Sequence, residues 1–581
     1  MLSPRSLPWI LLGLALALAF LTHAAALGFP FADDDTTQIV GEPHIRSWHF
    51  LPQYFTQDIW IHRCGSNYYR PAFLTWLLVN YTLFGLEPMG WHATAILVHL
   101  LATGMVYALA AKLCRHQIAA GFAALIFAVH PVSVEAVAWV SGVNEPLMTV
   151  LFIASMLCYF QGRERQKAGW QWASALFFLA AILVKETAII LPLLVLLYEW
   201  RPGPGLKREI SSSKPVLASY AAAVLVYLAG RAAALHGLVP AHGSHFALPV
   251  VLSTWPAALW FYLKELVVPW PLGLYHTLPL VTRHRWQNFY LPICGLLAGS
   301  AALAACSRRM PSVARLCAWV VLPLLPVLVG LSSFERGQLV HNRYLYLPLA
   351  GFSILCALAL RQLPFGIARF RSPVSASEAA APEMHWPWIQ FAAVSAVVGI
   401  LAVAAVVNTD TWSDNQTLYR HAVAVAPGNA AANVSWAQEL AAEEQPEAAL
   451  AFYRQAVALD PDDSRTYYSL GFFQARLKQW HEAERSLVKV TQLKPDEPCL
   501  FFGLALIQEE AGDLSPAEAS FRRACAAPPV AEGAHYEFAL LLEREGRIAE
   551  ARAQLKAELA IAPDSEARAE LDRLNRRTRD P

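Results

Sequence analysis

Three adjacent carboxylates, Asp33, Asp34 and Asp35, follow the first long apolar run in the stretch "FADDDTTQIV". Further groups able to do chemistry recur beside later apolar runs. "NYYRPAF" carries Arg70, and "HPVSVEAVAWVSGVNEP" carries His130, Glu135 and Glu145. "VKET" carries Lys185 and Glu186, and "SFERGQLVHNRYLYLP" carries Arg343. Crowded carboxylates raise the pKa of one of their number, which suits a general base. Arginine and lysine stabilise the charge that gathers on a departing phosphate. Acids and cations gathered at one membrane face therefore suit a site for a lipid phosphate, with a carboxylate available as base. Taken singly, each has a plainer reading: a solvated loop for the aspartates, a snorkelling ion pair for Lys185 and Glu186, a headgroup anchor for Arg343.

The elements that must position these residues are membrane helices. The chain has 581 residues, of which 56% are hydrophobic and only 15% charged, against roughly 25% charged in soluble domains. Charges are sparse up to about residue 410 and frequent after it. A net charge of +1 with no basic patch gives no sign of a nucleic-acid partner, and the nine scattered cysteines show no metal-type spacing. A spanning helix needs about 20 apolar residues. Spans are expected at Pro8–Leu27, Trp91–Leu113, Ile118–Val129, Pro146–Phe160, Trp170–Val184, Thr187–Trp200, Val216–Leu235, Phe289–Cys306, Val313–Leu331, Tyr344–Leu360 and Pro387–Val407. The first, with Arg5 before it and "THAAALG" after it, also fits a signal peptide; a retained helix is the expectation. Lys/Arg clusters at 112–116, 163–167, 201–209, 307–315 and 361–371 mark the cytoplasmic side. One topology places all five inside: eleven crossings, with Pro71–Gly85 and Pro249–Pro269 lying on the outer face. It puts the loop 28–90, the three later groups of acids and cations and the C-terminal part outside.

The polar tail is a repeat array. Prolines recur at 427, 461, 495, 529 and 563, every 34 residues, which is the tetratricopeptide (TPR) period. Small and large positions recur with them: Ala437, Ala449, Tyr453 and Ala456; Tyr467, Leu470, Gly471 and Ala483; Ala505, Ala517, Phe521 and Ala524; Ala539, Ala551 and Leu555. Small residues let paired helices approach, a large one fills the next groove, and proline ends the second helix, so the units stack. "WSDNQTLYRHAVAVAPGN" reads as a leading half-unit. Such an array presents a concave protein-binding surface, or serves as a rigid spacer.

The order of "DD" after the first span, "YRP", "HPV-x-x-EAV", "KE" and "RYLYLP", followed by TPRs, resembles the transmembrane and TPR-containing O-mannosyltransferases, members of the GT-C glycosyltransferase superfamily. The resemblance implies an all-α fold: a polytopic membrane helical bundle of GT-C type over residues 1–408, then a TPR α-solenoid over residues 409–581. It places a catalytic carboxylate directly after the first helix. The "DD-x-x-x-I" pattern falls on Asp34, Asp35 and Ile39, which leaves Asp33 as the most replaceable of the three. Glu145 stands where relatives more often carry aspartate with an arginine nearby, and Val143 and Asn144 supply no arginine. The implied reaction is inverting transfer of a sugar, with mannose a candidate, from a polyprenyl-phosphate donor to an acceptor hydroxyl, expected on a protein. Asp34 would be the base and Asp35 its partner. Arg343, Lys185 and Arg70 would meet the donor phosphate, supported by His130, Glu135, Glu145 and Glu186. No catalytic metal is expected, since branches of the superfamily differ on this. The TPRs would bind the acceptor or a partner on the periplasmic side of a bacterial inner membrane. An inactive TPR-displaying membrane scaffold is the competing reading. A transporter fits less well, because its ionisable groups belong at mid-membrane.

Overall fold

The computed structural model describes residues 6–59, 67–199, 206–235, 237, 246–309, 311–362, 388–495, 497–498, 500–526, 530–531, 533–561 and 565–577. Pro529 and Pro563 of the proline series, Cys64, Cys499 and the basic residues within 201–205 and 363–371 lie outside them. Every regular element among the described residues is helical. Contacts divide the chain into two units, Met1–Gln57 with Tyr69–Val425, and Asp58–Tyr68 with Ala426–Pro581.

The first unit holds α1 (Leu7–His23), α2 (Pro71–Phe84), α3 (Pro88–Cys114), α4 (Gln117–Val129), α5 (Val134–Ala138), α6 (Asn144–Arg165), α7 (Ala168–Val184) and α8 (Leu191–Glu199). It continues with α9 (Leu206–Ala234), α10 (Leu248–Val267), α11 (Leu291–Arg309), α12 (Pro311–Val321), α13 (Leu325–Gly330), α14 (Tyr346–Gln362), α15 (Trp388–Asp410) and α16 (Asn415–Val425). Helix α4 is apolar on every side and buried from Ala119 to Val129, as a helix without a polar face must be. It packs against α1, α3, α14 and α15, so it is the hub of this unit. Pro131 then breaks the chain direction by 55°. Proline has no N–H for the helical ladder and holds His130 extended before it. The His130 ring accepts from the Val132 N–H at 3.4 Å, and its other nitrogen lies 3.1 Å from the Leu266 carbonyl. This bend turns α5, and Glu135 with it, away from the line of α4.

Among the described residues, eight helical segments are long and apolar enough to cross a membrane, or nine if the bent α4–α5 pair is one span. The chain is therefore read as an integral membrane protein. The count differs from the eleven expected. Helix α7 is apolar but only 17 residues long. The segment expected at Thr187–Trp200 is split into a tight turn, Glu186–Ile190, and the nine-residue α8. Lys185 and Glu186 lie at that break.

The second unit is a stack of helix pairs: α17 (Ala430–Ala442) with α18 (Pro446–Leu459), α19 (Ser464–Arg476) with α20 (Trp480–Leu493), α21 (Leu500–Glu510) with α22 (Leu514–Ala524), and α23 (Ala534–Arg544) with α24 (Ile548–Ile561). α25 (Ser565–Arg577) packs on α24. The recurring positions form its core. Ala437, Ala449, Tyr453 and Ala456 are buried together, as are Ala505, Ala517, Phe521, Ala539, Ala551 and Leu555. Asn429 and Asp463 cap α17 and α19 by accepting from the first-turn N–H groups of Ala432 and Arg465. Each pair turns through a left-handed residue at the same repeat position: Glu444, Lys478, Gly512 and Gly546, with φ of 60°, 59°, 88° and 79°.

Candidate active site

The acidic stretch is a tight turn at the exit of the first apolar segment, all of it within the first unit. Asp33 adopts φ +52°, the left-handed region where Asp and Asn are the usual non-glycine residues. Its carbonyl accepts from the Thr36 hydroxyl at 2.8 Å and the Thr36 N–H at 3.2 Å. The Asp34 carbonyl accepts from the Thr37 and Gln38 N–H groups at 3.0 and 2.7 Å, starting the wide helical turn Thr36–Val40.

The three carboxylates meet different surroundings. Asp35 is 1% exposed. Its Oδ1 accepts from the Ser141 N–H at 2.8 Å and the Ser141 hydroxyl at 2.5 Å. Burial still lifts its pKa to about 7 against those hydrogen bonds. Asp33 accepts from the Tyr419 hydroxyl at 2.9 Å, and its N–H donates to Asn415 Oδ1 at 2.8 Å. Asp33, the residue that the sequence pattern left over, is thus held through both its side chain and its backbone N–H. Asp34 points to solvent, and Gln38 Nε2 lies 3.4 Å from its Oδ2. Protein surrounds it densely at longer range. That loss of solvation, with the charges of Asp33 and Asp35, raises its pKa to about 7 although Arg343 pulls it down. Asp34 is thus the accessible carboxylate, with a proton affinity near neutrality.

The cations expected at a phosphate are each paired with an expected acid. Arg343 donates from its guanidinium to Glu135 Oε1 and from its N–H to Glu135 Oε2 at 3.0 Å. Lys185 Nζ reaches Glu145 Oε1 at 2.7 Å and Asn144 Oδ1 at 3.0 Å. Arg70 grips Glu186 with two hydrogen bonds of 2.9 and 2.6 Å. Lys185 and Glu186, neighbours in sequence, are therefore committed to different partners. Glu145, which has no arginine near it in sequence, pairs with Lys185 from the α7 terminus. Burial lowers the Lys185 pKa to about 8, and Arg70 and Arg343 add to that against the pull of Glu145. Glu186 is opposed by burial but overcome by Arg70, which holds it at about 2.

Aromatic rings tie these pairs into one cluster. Tyr344 lies 5.0 Å from the Lys185 ammonium and 5.3 Å from the Arg343 guanidinium, in cation–π range. Trp139 lies 5.0 Å from Arg343 and stacks on Trp412. Arg343 is also close enough to Asp33 and Asp34 to depress the pKa of both. The cluster runs from Asp34 through Arg343 to Lys185 and Arg70. His130 lies at the α4–α5 bend and fixes backbone there. Sequence reasoning did not pick out Ser141, Asn144, Trp139, Tyr344, Asn415 or Tyr419. The first three stand inside "HPVSVEAVAWVSGVNEP", where a serine one helical turn before a glutamate was the available signal.

Residues 70–230 match the family described as dolichyl-phosphate-mannose-protein mannosyltransferase, and residues 440–500 match the tetratricopeptide repeat. The protein O-mannosyl-transferase F38B6.6 of Caenorhabditis elegans is 34% identical over 26% of this chain and 23% of its own length. Human protein O-mannosyl-transferase TMTC1 is 31% identical over 31% of this chain and 22% of its own. Human TMTC4 is 25% identical over 75% of this chain and 64% of its own. The aligned stretches thus span less than two thirds of these relatives. Among solved structures, the TPR protein YrrB covers 28% of this chain and 84% of its own at 22% identity, with a TM-score of 0.25.

Proposed function

From a chain that is O-mannosyltransferase-like in its membrane part and TPR-repeated in its tail, we propose that it is a membrane glycosyltransferase. It moves a sugar, mannose being the candidate, from a polyprenyl-phosphate donor to an acceptor hydroxyl on a protein. Asp34 takes the hydroxyl proton as the acceptor oxygen bonds to the anomeric carbon from the face opposite the phosphate. The bond from that carbon to the phosphate oxygen breaks, and the lipid phosphate leaves with the electron pair, so configuration inverts. Arg343 meets the leaving phosphate: its side chain is 16% exposed against 3% for Lys185, and Glu135 uses only part of its five-donor fork. Lys185 and Arg70 contribute positive potential from behind. The TPRs hold the acceptor or a partner, on the external face of a bacterial inner membrane.

One observation carries this reading: of three crowded carboxylates, Asp34 is the one left open to solvent, and it lies within reach of the Arg343 charge with a pKa near 7. A base of that pKa is matched to neutral pH. The test is complementation of a knockout with Asp34→Asn and Asp34→Ala, read by glycoprotein profiling at matched protein level. Loss of a general base should lower transfer about 10²–10⁴-fold. Wild-type profiles from both variants would sink the catalytic reading and leave the membrane scaffold.

A further inference from the structure

We propose that α16 fixes the acidic turn, with Asn415 and Tyr419 as positioning residues that hold Asp33 and so set where the Asp34 carboxylate stands. This rests on the reading of Asp34 as base and adds a device that the sequence motifs do not contain.

Asn415 and Tyr419 are four residues apart, on one face of α16. One takes the Asp33 N–H at 2.8 Å, and the other donates its hydroxyl to Asp33 Oδ1 at 2.9 Å. With the Asp33 carbonyl receiving Thr36, backbone donor, backbone acceptor and side chain of Asp33 are all engaged. That residue sits at φ +52°, a conformation that L residues adopt rarely and as single residues, and the next residue is Asp34. The helix is itself anchored. Asp414 Oδ1 accepts the Thr417 N–H at 2.7 Å and so secures its first turn. At the far end, His421 Nε2 lies 2.8 Å from the Leu272 carbonyl. The neighbouring Gly273 carbonyl accepts from Asn342 at 3.3 Å, one residue before Arg343. α16 therefore braces the turn that carries the base and the segment that leads to the principal cation. Asn415 and Tyr419 could have been spent on a repeat core, yet both face the acidic turn.

The groups facing Asp33 are Asp34, Asp35, Arg343 and Tyr419, and Tyr419 also faces Tyr275. Burial raises the Asp33 pKa and the Tyr419 hydrogen bond lowers it. Without the hydroxyl, Asp33 keeps its proton to higher pH, and its charge no longer lifts Asp34. The acid limb of the pH–rate profile then moves to lower pH.

The test uses the full-length protein in proteoliposomes, with polyprenyl-phosphate mannose and a serine/threonine peptide as probes. Tyr419→Phe and Asn415→Ala are each expected to lower kcat about 10-fold or more, with the donor KM within about twofold. Tyr419→Phe is expected to move the acid limb down by about half a pH unit or more. Asn415→Ser, which keeps an acceptor oxygen without adding charge, should restore part of the rate. Hydrogen exchange of peptides covering residues 31–41 should rise about 10-fold in both variants and stay unchanged elsewhere. Unchanged exchange in this segment, or a wild-type rate and pH profile in both variants while Asp34→Asn is inactive, would overturn the clamp. Raised exchange together with a fully active Asp34→Asn would leave the clamp standing and remove the base.

Discussion

Glu135 holds Arg343 by main chain and side chain at once, and both groups are largely withdrawn from water. Removing one member of such a pair strands the other charge. Glu135→Gln should therefore destabilise the protein by about 3–5 kcal/mol, seen as a large fall in Tm in detergent; an unchanged Tm would mean that Arg343 finds another counter-charge. Asp35 gives a pH-dependent prediction. Its pKa is about 7 folded and 3.8 unfolded, so the folded state binds more protons between those values. Stability is greatest at the acid end of that window and is lost as pH rises through it. Asp35→Asn keeps an acceptor for Ser141 and cannot charge. It should match wild type near about pH 3 and exceed it near about pH 8, by on the order of 4 kcal/mol. Equal stability at both pH values would show that Asp35 is solvated. At this scale the sequence made the residue types legible but not their pairing. Lys185 and Glu186 are adjacent, but successive residues point apart, and the true partners, Glu145 and Arg70, stand 40 and 116 residues away.

Among the elements, the turn Val140–Val143 and the repeat turns are the informative ones. Gly142 allows Ser141 to reach Asp35: a Cβ there would come 2.8 Å from the Glu135 carbonyl and 3.0 Å from the Trp139 ring. Gly142→Ala should shift α5 and reduce transfer about 10²-fold, with peptide transfer at matched protein level as the check. In the repeats, Glu444 and Lys478 hold the left-handed turn that Gly512 and Gly546 hold without a Cβ penalty. Glu444→Gly and Lys478→Gly should each stabilise the array by about 0.5–1 kcal/mol, measured as a rise in its unfolding midpoint; a fall would mean that their side chains contribute more than the turn costs. The repeat core was legible because it is local: each buried position recurs every 34 residues, and neighbouring helices bury it. The membrane helices were legible by apolar length, except at the Lys185–Glu186 break, where a continuous apolar stretch folds as two short pieces. α16 was read as part of the repeats because its spacing fits them, whereas its hydrogen bonds go to the acidic turn.

For the molecule as a whole, the external placement proposed for the repeats makes one direct prediction. A reporter fused after Pro581 that works only outside the cytoplasm should be active, and a cytoplasmic reporter at the same place silent; the reverse result would put the repeats inside. The clamp on Asp33 has a consequence in time rather than in space. Its two partners are encoded 382 and 386 residues downstream. At roughly 5–20 residues per second, a ribosome takes about 20–80 s to cover that distance. During that interval the three aspartates have left the ribosome, but the helix that braces them has not been made. A prematurely released chain would carry the reactive carboxylates without the brace that aims them. Competence would then arrive only when synthesis of the membrane unit is nearly complete, so that the order of translation itself delays the chemistry.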